Sequence, residues 1–368
     1  MALAPAATVR FGFYGFVLAY AAAVLAWLPL HRRSLPLGIT IAIAIVLRGI
    51  YLLPDPHLSG DVYRYLSDGR VLASGHNPYT YTPTDPRINH REIHSIYPPH
   101  AQLLFALVHN LTAWRLLILA ADIAAIVLLR RYDAALAFAT CPLVIVEGVW
   151  SGHIDALAGV LVAFALAYRS GVALGIAAGL KVIPLAALPA LFCHPERSEG
   201  AGRVDGASNL PPTHPGPSTP LGMTIGSFLA ALLLPILPFL GGPIMPGFRD
   251  YATRWVFSSP LYELVYAIVD RIPTKDIWTS HPLRFQFLSD FVYRHLYPDF
   301  LTRAILAVIA LGGILLARRV TTAIAILLVC SPAIHPWYWL TLIPVALMER
   351  SRWLYLALAM PLSYLLYE

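Results

Sequence analysis

A charge-free stretch near the start of the chain most constrains its fold. Residues 11–30, FGFYGFVLAYAAAVLAWLPL, contain no charged side chain. A helix of this length crosses a hydrocarbon core of about 30 Å. A cleaved signal peptide fits less well, because HRR follows the stretch where a small-residue cleavage site is expected. The stretch therefore predicts a membrane-spanning helix.

Similar apolar segments recur along the whole chain. Only 12% of the 368 residues are charged, against about 25% in a typical soluble domain. The segments are 11–30, 35–53, 112–129, 134–150, 154–168, 171–193, 224–241, 299–317, 320–333, 336–348 and 353–367. Several are too short to span alone, which favours paired half-helices around a cavity. We predict an all-α, polytopic integral membrane protein forming one domain over 1–368, with about 9–11 transmembrane or re-entrant helices.

Arginines indicate which loops face the cytoplasm. Five short loops carry them: Arg32 with Arg33, Arg130 with Arg131, Arg169, Arg318 with Arg319, and Arg350 with Arg352. All five lie on one side only if 171–193 is a re-entrant hairpin, and Pro184 and Pro189 favour a break there. A straight crossing would place the last two loops outside. We predict the hairpin.

This topology leaves two long outer loops, 55–110 and 242–298. The second contains an amphipathic stretch, RWVFSSPLYELVYAIVDRI, suited to a helix lying along the membrane interface. Residues 194–220 shift abruptly to Pro, Gly, Ser and charged residues. Such a composition cannot bury enough apolar area to fold. We predict a disordered cytoplasmic insertion that carries no chemistry.

Ionisable residues at membrane depth are candidate functional residues, because they are costly to place there. The predicted topology brings several of them to the outer face. These are Asp61 in SGDVYRYLSDGR, Glu147, His153 and Asp155 in VEGVWSGHIDAL, Lys181 in AAGLKVIPL, and His335 in SPAIHPWYW. A cavity with a carboxylate and several cations suits a lipid-linked phosphate substrate. Cations stabilise the departing phosphate, and the carboxylate accepts a proton from an attacking hydroxyl.

Each of these residues also has a purely structural interpretation. Asp61 could serve only as a helix N-cap. Asp155 could cap its helix, with His153 bonded to a backbone carbonyl, and His335 could be a satisfied loop histidine. A buried Lys181 needs an anionic partner, which could be Asp155, Glu147 or a ligand phosphate.

Other charged residues need separate interpretations. Asp68 could pair with Arg64, four residues earlier on the same helix. Arg48 and Arg115 lie within apolar segments and are expected near the lipid headgroups. Asp122 lies deep in its segment, where we expect an internal partner.

In order along the chain, the blocks SGDVYRYLSDGRVLASGHNPYTYTP, IYPPHAQLLFAL, VEGVWSGHIDAL, GLKVIPLAALP and SPAIHPWYW resemble bacterial GT-C glycosyltransferases. They are most similar to the polyprenyl-phosphate-dependent mannosyltransferases of glycosyltransferase family 87 and its relatives. The resemblance covers 35–193 well and 224–348 loosely. It implies a GT-C-like membrane enzyme that transfers a hexose, with mannose expected, and inverts the anomeric centre.

The resemblance also implies roles for individual residues. Asp61 falls on the catalytic aspartate of the first outer loop and would be the general base. The positions expected near the donor phosphate are Lys181, His335 and Arg64. Those expected to shape the pocket or to contact substrate are Tyr65, Asn77, Tyr79, Tyr97, Glu147, His153, Asp155 and Trp337.

Two features depart from the family pattern. Gly60 precedes Asp61 where some relatives have a second acid, and a single carboxylate is a poor ligand set for a hard cation. We therefore expect neither a metal nor another cofactor. The insertion at 194–220 replaces the usual short basic loop and leaves the five blocks intact.

The expected partners are a polyprenyl-phosphate sugar donor, a lipid or glycan acceptor and membrane lipids. No basic stretch with interleaved aromatic residues suggests nucleic acid. The resemblance implies a multi-pass protein of the bacterial cytoplasmic membrane with its active site on the periplasmic or exterior side. Two alternatives stay open at this point. One is a transporter or flippase of lipid-linked sugars, although no internal repeat supports it, and the other is a catalytically inactive relative.

Overall fold

The computed structural model describes residues 6–189, 221–271 and 298–366. Within these ranges every regular element is helical, and a single isolated bridge pairs Phe257 with Ala333. The predicted all-helical fold is confirmed. The predicted insertion at 194–220 lies outside the described residues, as does 272–297 of the second outer loop.

The first described range contains eight α-helices. They are α1 (Ala6–Leu30), α2 (Leu37–Gly49), α3 (Asp61–Ala73), α4 (Pro99–Leu107), α5 (Leu111–Leu129), α6 (Ala135–Ala139), α7 (Asp155–Tyr168) and α8 (Gly171–Leu180). Short 3₁₀ segments lie at Pro78–Thr80, Arg130–Tyr132 and Ile183–Ala187, and a π-helical segment lies at Val144–Trp150.

The other two ranges add seven α-helices. They are α9 (Leu221–Leu233), α10 (Pro246–Arg254), α11 (Pro260–Asp270), α12 (Asp299–Leu316), α13 (Val320–Val329), α14 (Ile343–Met348) and α15 (Trp353–Ala359). Segments of 3₁₀ helix lie at Leu234–Phe239, Pro336–Thr341 and Met360–Leu366.

Helix lengths support a polytopic membrane protein. Leu111–Tyr132 and Asp299–Leu316 are long and apolar enough to cross a membrane, and the bent pair Val144–Trp150 with Asp155–Tyr168 is a third candidate. Six shorter apolar helices accompany them within the described ranges. Many large apolar side chains face outward, including Leu18, Val308 and Leu316. A soluble protein avoids an apolar surface of this extent, whereas lipid favours it.

Polar residues set several helix boundaries in this apolar chain. Asn110 and Ser170 accept hydrogen bonds from backbone N–H groups in the first turns of α5 and α8. Arg169 ends α7 in a left-handed conformation, with φ of 50°. The Glu349 carboxylate accepts from the backbone N–H groups of Val320 and Thr321 at the start of α13. These contacts satisfy backbone groups that lipid could not.

Arg48 and Arg115 lie inside the protein, among hydrogen-bond acceptors, and their predicted depth near the lipid headgroups stays a prediction. Arg48 Nε donates to Asp122 Oδ2 at 2.6 Å, and its other nitrogens donate to the carbonyls of Ala139 and Phe138. Arg115 donates to the carbonyls of Trp150 and Leu52. Both arginines are fully buried, because their forked guanidinium groups find several acceptors there. The predicted internal partner of Asp122 is confirmed.

A sharp bend separates the π-helical segment Val144–Trp150 from α7. The two helices meet at 116°, and Gly152 turns the chain with φ of 76°, which glycine adopts without strain. Gly159 lets α7 approach the 3₁₀ segment Pro336–Thr341 closely, since a Cβ there would lie 2.4 Å from the Leu340 carbonyl oxygen. The bend and this contact bring the sequence block around His153 against the block around His335.

The predicted break in 171–193 lies at Lys181. Helix α8 ends at Leu180, Lys181 is extended with φ of −150°, and Ile183–Ala187 continues as a 3₁₀ turn. Pro184 lies in that turn, where it cannot supply an α-helical N–H. A hairpin rather than a crossing stays a prediction, since residues beyond 189 lie outside the described range.

Candidate active site on the first outer loop

Asp61 is the first residue of α3, and its carboxylate is 29% exposed. The N-cap position belongs to Gly60, so the interpretation of Asp61 as only an N-cap is wrong. Asp61 Oδ2 instead accepts a hydrogen bond from the Tyr97 hydroxyl at 3.2 Å. The carboxylate is therefore held by a side chain distant in sequence and keeps one face open.

Gly60 allows a close backbone contact just before Asp61. A Cβ atom at this position would lie 2.3 Å from the carbonyl oxygen of Arg87. No real Cβ atom tolerates that distance to a backbone oxygen. The start of α3 is thus docked directly on the later part of the first outer loop.

Tyrosines form the wall behind Asp61. The Tyr65 hydroxyl lies 3.5 Å from the Tyr97 hydroxyl, and the Tyr65 ring stacks on Phe105. The Tyr79 hydroxyl donates to the Tyr97 carbonyl at 2.8 Å, and Asn77 Oδ1 accepts from the Tyr79 N–H. Asn77 and Tyr79 therefore shape the loop around Tyr97, one of the two roles predicted for them.

Lys181 and Asp155 form an ion pair next to this wall. Lys181 Nζ donates to Asp155 Oδ2 at 3.1 Å, with Asp155 fully buried and Lys181 15% exposed. The ammonium also lies 4.7 Å from the Tyr338 ring centroid and 5.5 Å from that of Tyr97, within the range of a cation–π contact. Of the partners predicted for Lys181, the structure shows Asp155.

Glu147 and His153 lie on the inner side of Asp61, and both are fully buried. Glu147 Oε1 accepts a hydrogen bond from the Tyr364 hydroxyl at 2.7 Å. His153 Nδ1 lies 3.9 Å from Asp61 Oδ2, and its Nε2 lies 3.4 Å from Glu147 Oε2. A histidine ring thus stands between two carboxylates from different parts of the chain.

Three aromatic rings stack in a row behind His153. The His153 and Trp337 ring centroids lie 4.2 Å apart, those of Trp337 and His335 lie 4.4 Å apart, and Phe257 lies 4.7 Å from His335. All three interplanar angles are 13° or less. His335 and Trp337 therefore join the predicted cluster, and the stack extends it to the second outer loop.

The positive charge of Arg64 acts on Asp61, but the hydrogen bonds of its guanidinium go to the loop. Its guanidinium is buried and donates to the carbonyls of Asn89, His90 and Ile93. The alternative pairing of Arg64 with Asp68 is also not made, since Asp68 Oδ2 accepts from Gln102 instead. Three loop carbonyls occupy the fork of Arg64, which gives this residue the task of holding the first outer loop in place.

Sequence reasoning missed several residues of the site. Tyr338 and Tyr251 join their hydroxyls in a short hydrogen bond, and the Tyr338 ring faces Lys181. Tyr364 donates a hydrogen bond to Glu147, and the Phe257 ring stacks on His335. Tyr338 lies inside the quoted block SPAIHPWYW, so that block contained a signal for it. Tyr251 and Tyr364 lie in segments with no distinguishing motif.

Burial and neighbouring groups act in opposite directions on the pKa of Asp61. Partial burial raises the pKa of Asp61 above its usual range, while Lys181 and the Tyr97 hydrogen bond oppose the rise. In the described ranges, no group of three or more His, Cys, Asp or Glu side chains has the geometry of a metal site. The arrangement can accept a proton at Asp61 beside the positive charge of Lys181.

An open groove of about 730 Å³ lies on the other side of α3. Arg70, Asp85 and Arg87 line it, and none of the predicted site residues does. Arg87 is already engaged, since it pairs with Asp85 and covers the Tyr63 ring. The groove is therefore separate from the cluster around Asp61.

Residues 96–203 match the model of glycosyltransferase family 87. The matched stretch includes Tyr97, Glu147, His153, Asp155 and Lys181, whereas Asp61 and His335 lie outside it. No curated protein and no solved structure gives a significant match. This stretch is therefore similar to glycosyltransferase family 87, and together with the all-helical membrane fold it indicates a membrane glycosyltransferase.

Proposed function

We propose that the protein transfers a hexose, with mannose the expected sugar, from a polyprenyl phosphate to a lipid or glycan acceptor. The transfer takes place on the outer face of the bacterial cytoplasmic membrane. The observation that carries the proposal is the position of Asp61. Its carboxylate is partly exposed, is held by Tyr97, and lies beside a lysine that also keeps some exposure.

Asp61 acts as the general base. Its open face accepts the proton of an acceptor hydroxyl, while the hydroxyl oxygen attacks C1 of the sugar and the polyprenyl phosphate leaves. Attack from the face opposite the phosphate inverts the anomeric centre. A base positioned in this way contributes typically 10²–10⁴-fold to the rate.

Lys181 stabilises the phosphate as it leaves. Its ammonium has three N–H donors, one of which bonds Asp155. The aromatic faces of Tyr338 and Tyr97 surround the same ammonium and leave it partly exposed. A preorganised cation of this kind favours the charge that develops in the transition state. We assign His335, whose ring contacts Tyr338, to the same side of the site, near the donor phosphate.

The test is sugar transfer from radiolabelled polyprenyl-phosphate mannose in membranes that contain the wild type or Asp61→Asn. Asparagine keeps the size of the side chain but cannot accept the proton. We expect transfer to fall about 10²–10⁴-fold in the variant at equal protein level. Asp68→Asn is the matched control, because Asp68 lies two turns further along the same helix and contacts Gln102 instead of the cluster.

Either of two results would overturn the proposal. Equal transfer by the wild type and Asp61→Asn would exclude Asp61 as the general base. The donor class would be excluded if the wild type transferred no sugar from polyprenyl phosphates that carry mannose or any of the other common hexoses.

A further inference from the structure

The His153 ring is buried, ionisable and without a hydrogen-bond partner among the residues that the structure describes. Neither Nδ1 nor Nε2 bonds to another group there, although the side chain has no exposure. Buried polar atoms are nearly always hydrogen-bonded, and an exception calls for an explanation. Its stack on Trp337 fixes the plane of the ring.

The two ring nitrogens face two different carboxylates. Nδ1 lies 3.9 Å from Asp61 Oδ2, and Nε2 lies 3.4 Å from Glu147 Oε2. Both distances exceed a hydrogen bond by less than about 1 Å. Catalytic contacts are often this long without substrate and shorten in the reacting complex. A small closure at Asp61 would complete a continuous line from the base to Glu147.

Glu147 is anchored at one oxygen and open at the other. Oε1 accepts from the Tyr364 hydroxyl, whereas Oε2 has no hydrogen-bond partner in the described ranges and faces the histidine. The Tyr364 bond fixes the carboxyl group, and the unbonded oxygen is directed at His153 Nε2, from which it can accept a proton when Glu147 is ionised.

We infer that His153 and Glu147 form a proton relay that takes the acceptor proton away from Asp61. The inference rests on the proposed function. A hydroxyl bound to the open face of Asp61 leaves only its inner face, toward His153, for release of the proton. The relay therefore restores the Asp61 carboxylate while the substrates still cover the outer side.

The transfer balances without any other reactant. The acceptor hydroxyl loses its proton to Asp61 as its oxygen bonds to C1, and the C1–phosphate oxygen bond breaks with its electron pair on the phosphate. The Asp61 proton moves to His153 Nδ1, while the Nε2 proton moves to Glu147 Oε2. His153 changes tautomer and stays neutral, which is consistent with its burial and with the nearby positive charge of Lys181. Glu147 must enter this step as a carboxylate and leaves it as a neutral acid, the form that its burial favours where the described residues offer it no cation.

Asp61, Glu147, Lys181 and His335 are the titratable groups that act on His153. Lys181 bonds Asp155, and His335 is separated from His153 by the Trp337 ring. Only the two carboxylates lie in line with the ring nitrogens. The path of the proton is thereby limited to Asp61 and Glu147.

The test uses purified full-length protein and compares the wild type with Glu147→Gln and His153→Gln. Glutamine at 147 keeps the shape and can still accept from Tyr364, but it cannot take a proton. We expect kcat to fall about 10²-fold in both variants, with KM for the donor unchanged within threefold. Tyr364→Phe is the matched control, because it removes the anchoring bond and keeps the carboxylate, so its loss should stay below tenfold.

Rescue by imidazole distinguishes a relay from a structural role. Added imidazole replaces the ring lost in His153→Gln and should raise kcat of that variant at least tenfold, with the wild type, Glu147→Gln and Tyr364→Phe unchanged. Loss of activity in His153→Gln without rescue would overturn the relay, and so would full activity in Glu147→Gln. Thermal unfolding checks that both variants are folded. If His153→Gln is not folded, the activity of Glu147→Gln alone tests the relay.

The same experiment separates this inference from the proposed function. An Asp61→Asn variant as active as the wild type would defeat the proposed function. An inactive Asp61→Asn beside a fully active Glu147→Gln would defeat the relay alone.

Discussion

Two aspartate–cation pairs of the structure differ in how completely they are buried. Arg48 uses its fork on Asp122 and two backbone carbonyls, and both side chains are at most 1% exposed. Lys181 has one hydrogen-bond acceptor, Asp155, and is 15% exposed. The first pair is closed off from any ligand, whereas the second leaves its cation exposed with two unused N–H donors. An aspartate–cation pair can therefore take part in a site only where the cation keeps some access.

The largest effect is expected from breaking the fully buried Arg48–Asp122 pair. Arg48→Met leaves Asp122 buried without its cation and should lower the free energy of unfolding by about 3–5 kcal/mol. The measurement is thermal unfolding of the purified protein in detergent. The double variant Arg48→Met with Asp122→Leu removes both charges and should recover most of the loss. Equal stability of the single variant and the wild type would contradict the structural role of this pair.

Breaking the partly exposed Lys181–Asp155 pair should lower the activity more than the stability. Lys181→Met removes the cation beside Asp61 and should lower kcat about 10²–10³-fold. Its loss in thermal stability should be smaller than that of Arg48→Met, because Lys181 keeps access to water. Lys181→Arg keeps the charge and should retain more activity than Lys181→Met. A variant that is destabilised as strongly as Arg48→Met yet still turns over would reverse the comparison.

Asp68 is a third buried carboxylate, and within the described ranges it forms no ion pair. Burial raises its pKa to about 6, above the unfolded value near 3.9. The folded state therefore binds the proton more tightly, so this group's contribution to stability falls as pH rises from about 4 to about 6. Asp68→Asn should remove this loss and stabilise the protein by up to about 3 kcal/mol above pH 6.

The check is the midpoint of thermal unfolding at a series of pH values for the wild type and Asp68→Asn. The difference between the two proteins should be small near pH 4, should grow toward pH 6 and should then level off. A difference that does not change with pH would show that Asp68 does not titrate in this window.

The smallest effect is expected at Tyr97, which tunes the base. Tyr97→Phe removes one hydrogen bond to Asp61, worth about 0.5–1.5 kcal/mol, so kcat should fall roughly 2- to 13-fold. The lost bond lowers the pKa of Asp61 in the wild type. The acid limb of the pH–rate profile should therefore move to higher pH in the variant. Phe retains the aromatic contact with Phe105, and a limb that stays in place would argue against Asp61 as the titrating base.

Much of the cluster could be predicted because ionisable residues stand out in an apolar chain. Asp61, Lys181, Asp155, His153 and His335 each lie in a quoted block, and the structure joins them through direct or shared contacts. The partner of Lys181 could be limited to Asp155, Glu147 or a ligand phosphate, because a buried ammonium requires an anion.

The positions of the arginines could not be predicted in the same way. Arg48 and Arg115 lie near the ends of apolar segments, where arginine often extends toward the headgroups. Only the tertiary contacts show that backbone carbonyls surround them. Arg64 shares the first turn of α3 with Asp61, yet three loop carbonyls determine its orientation. Sequence separation predicts which side chains share a helix face, but it does not predict which carbonyls of a folded loop lie opposite.

The contact at Gly60 limits how this chain can change. Any side chain at position 60 would meet the Arg87 carbonyl, so the backbone around 87–89 would have to shift first. A second acid at position 60 would therefore need a matching change in the backbone around 87–89, so the two arms of the loop can change only together.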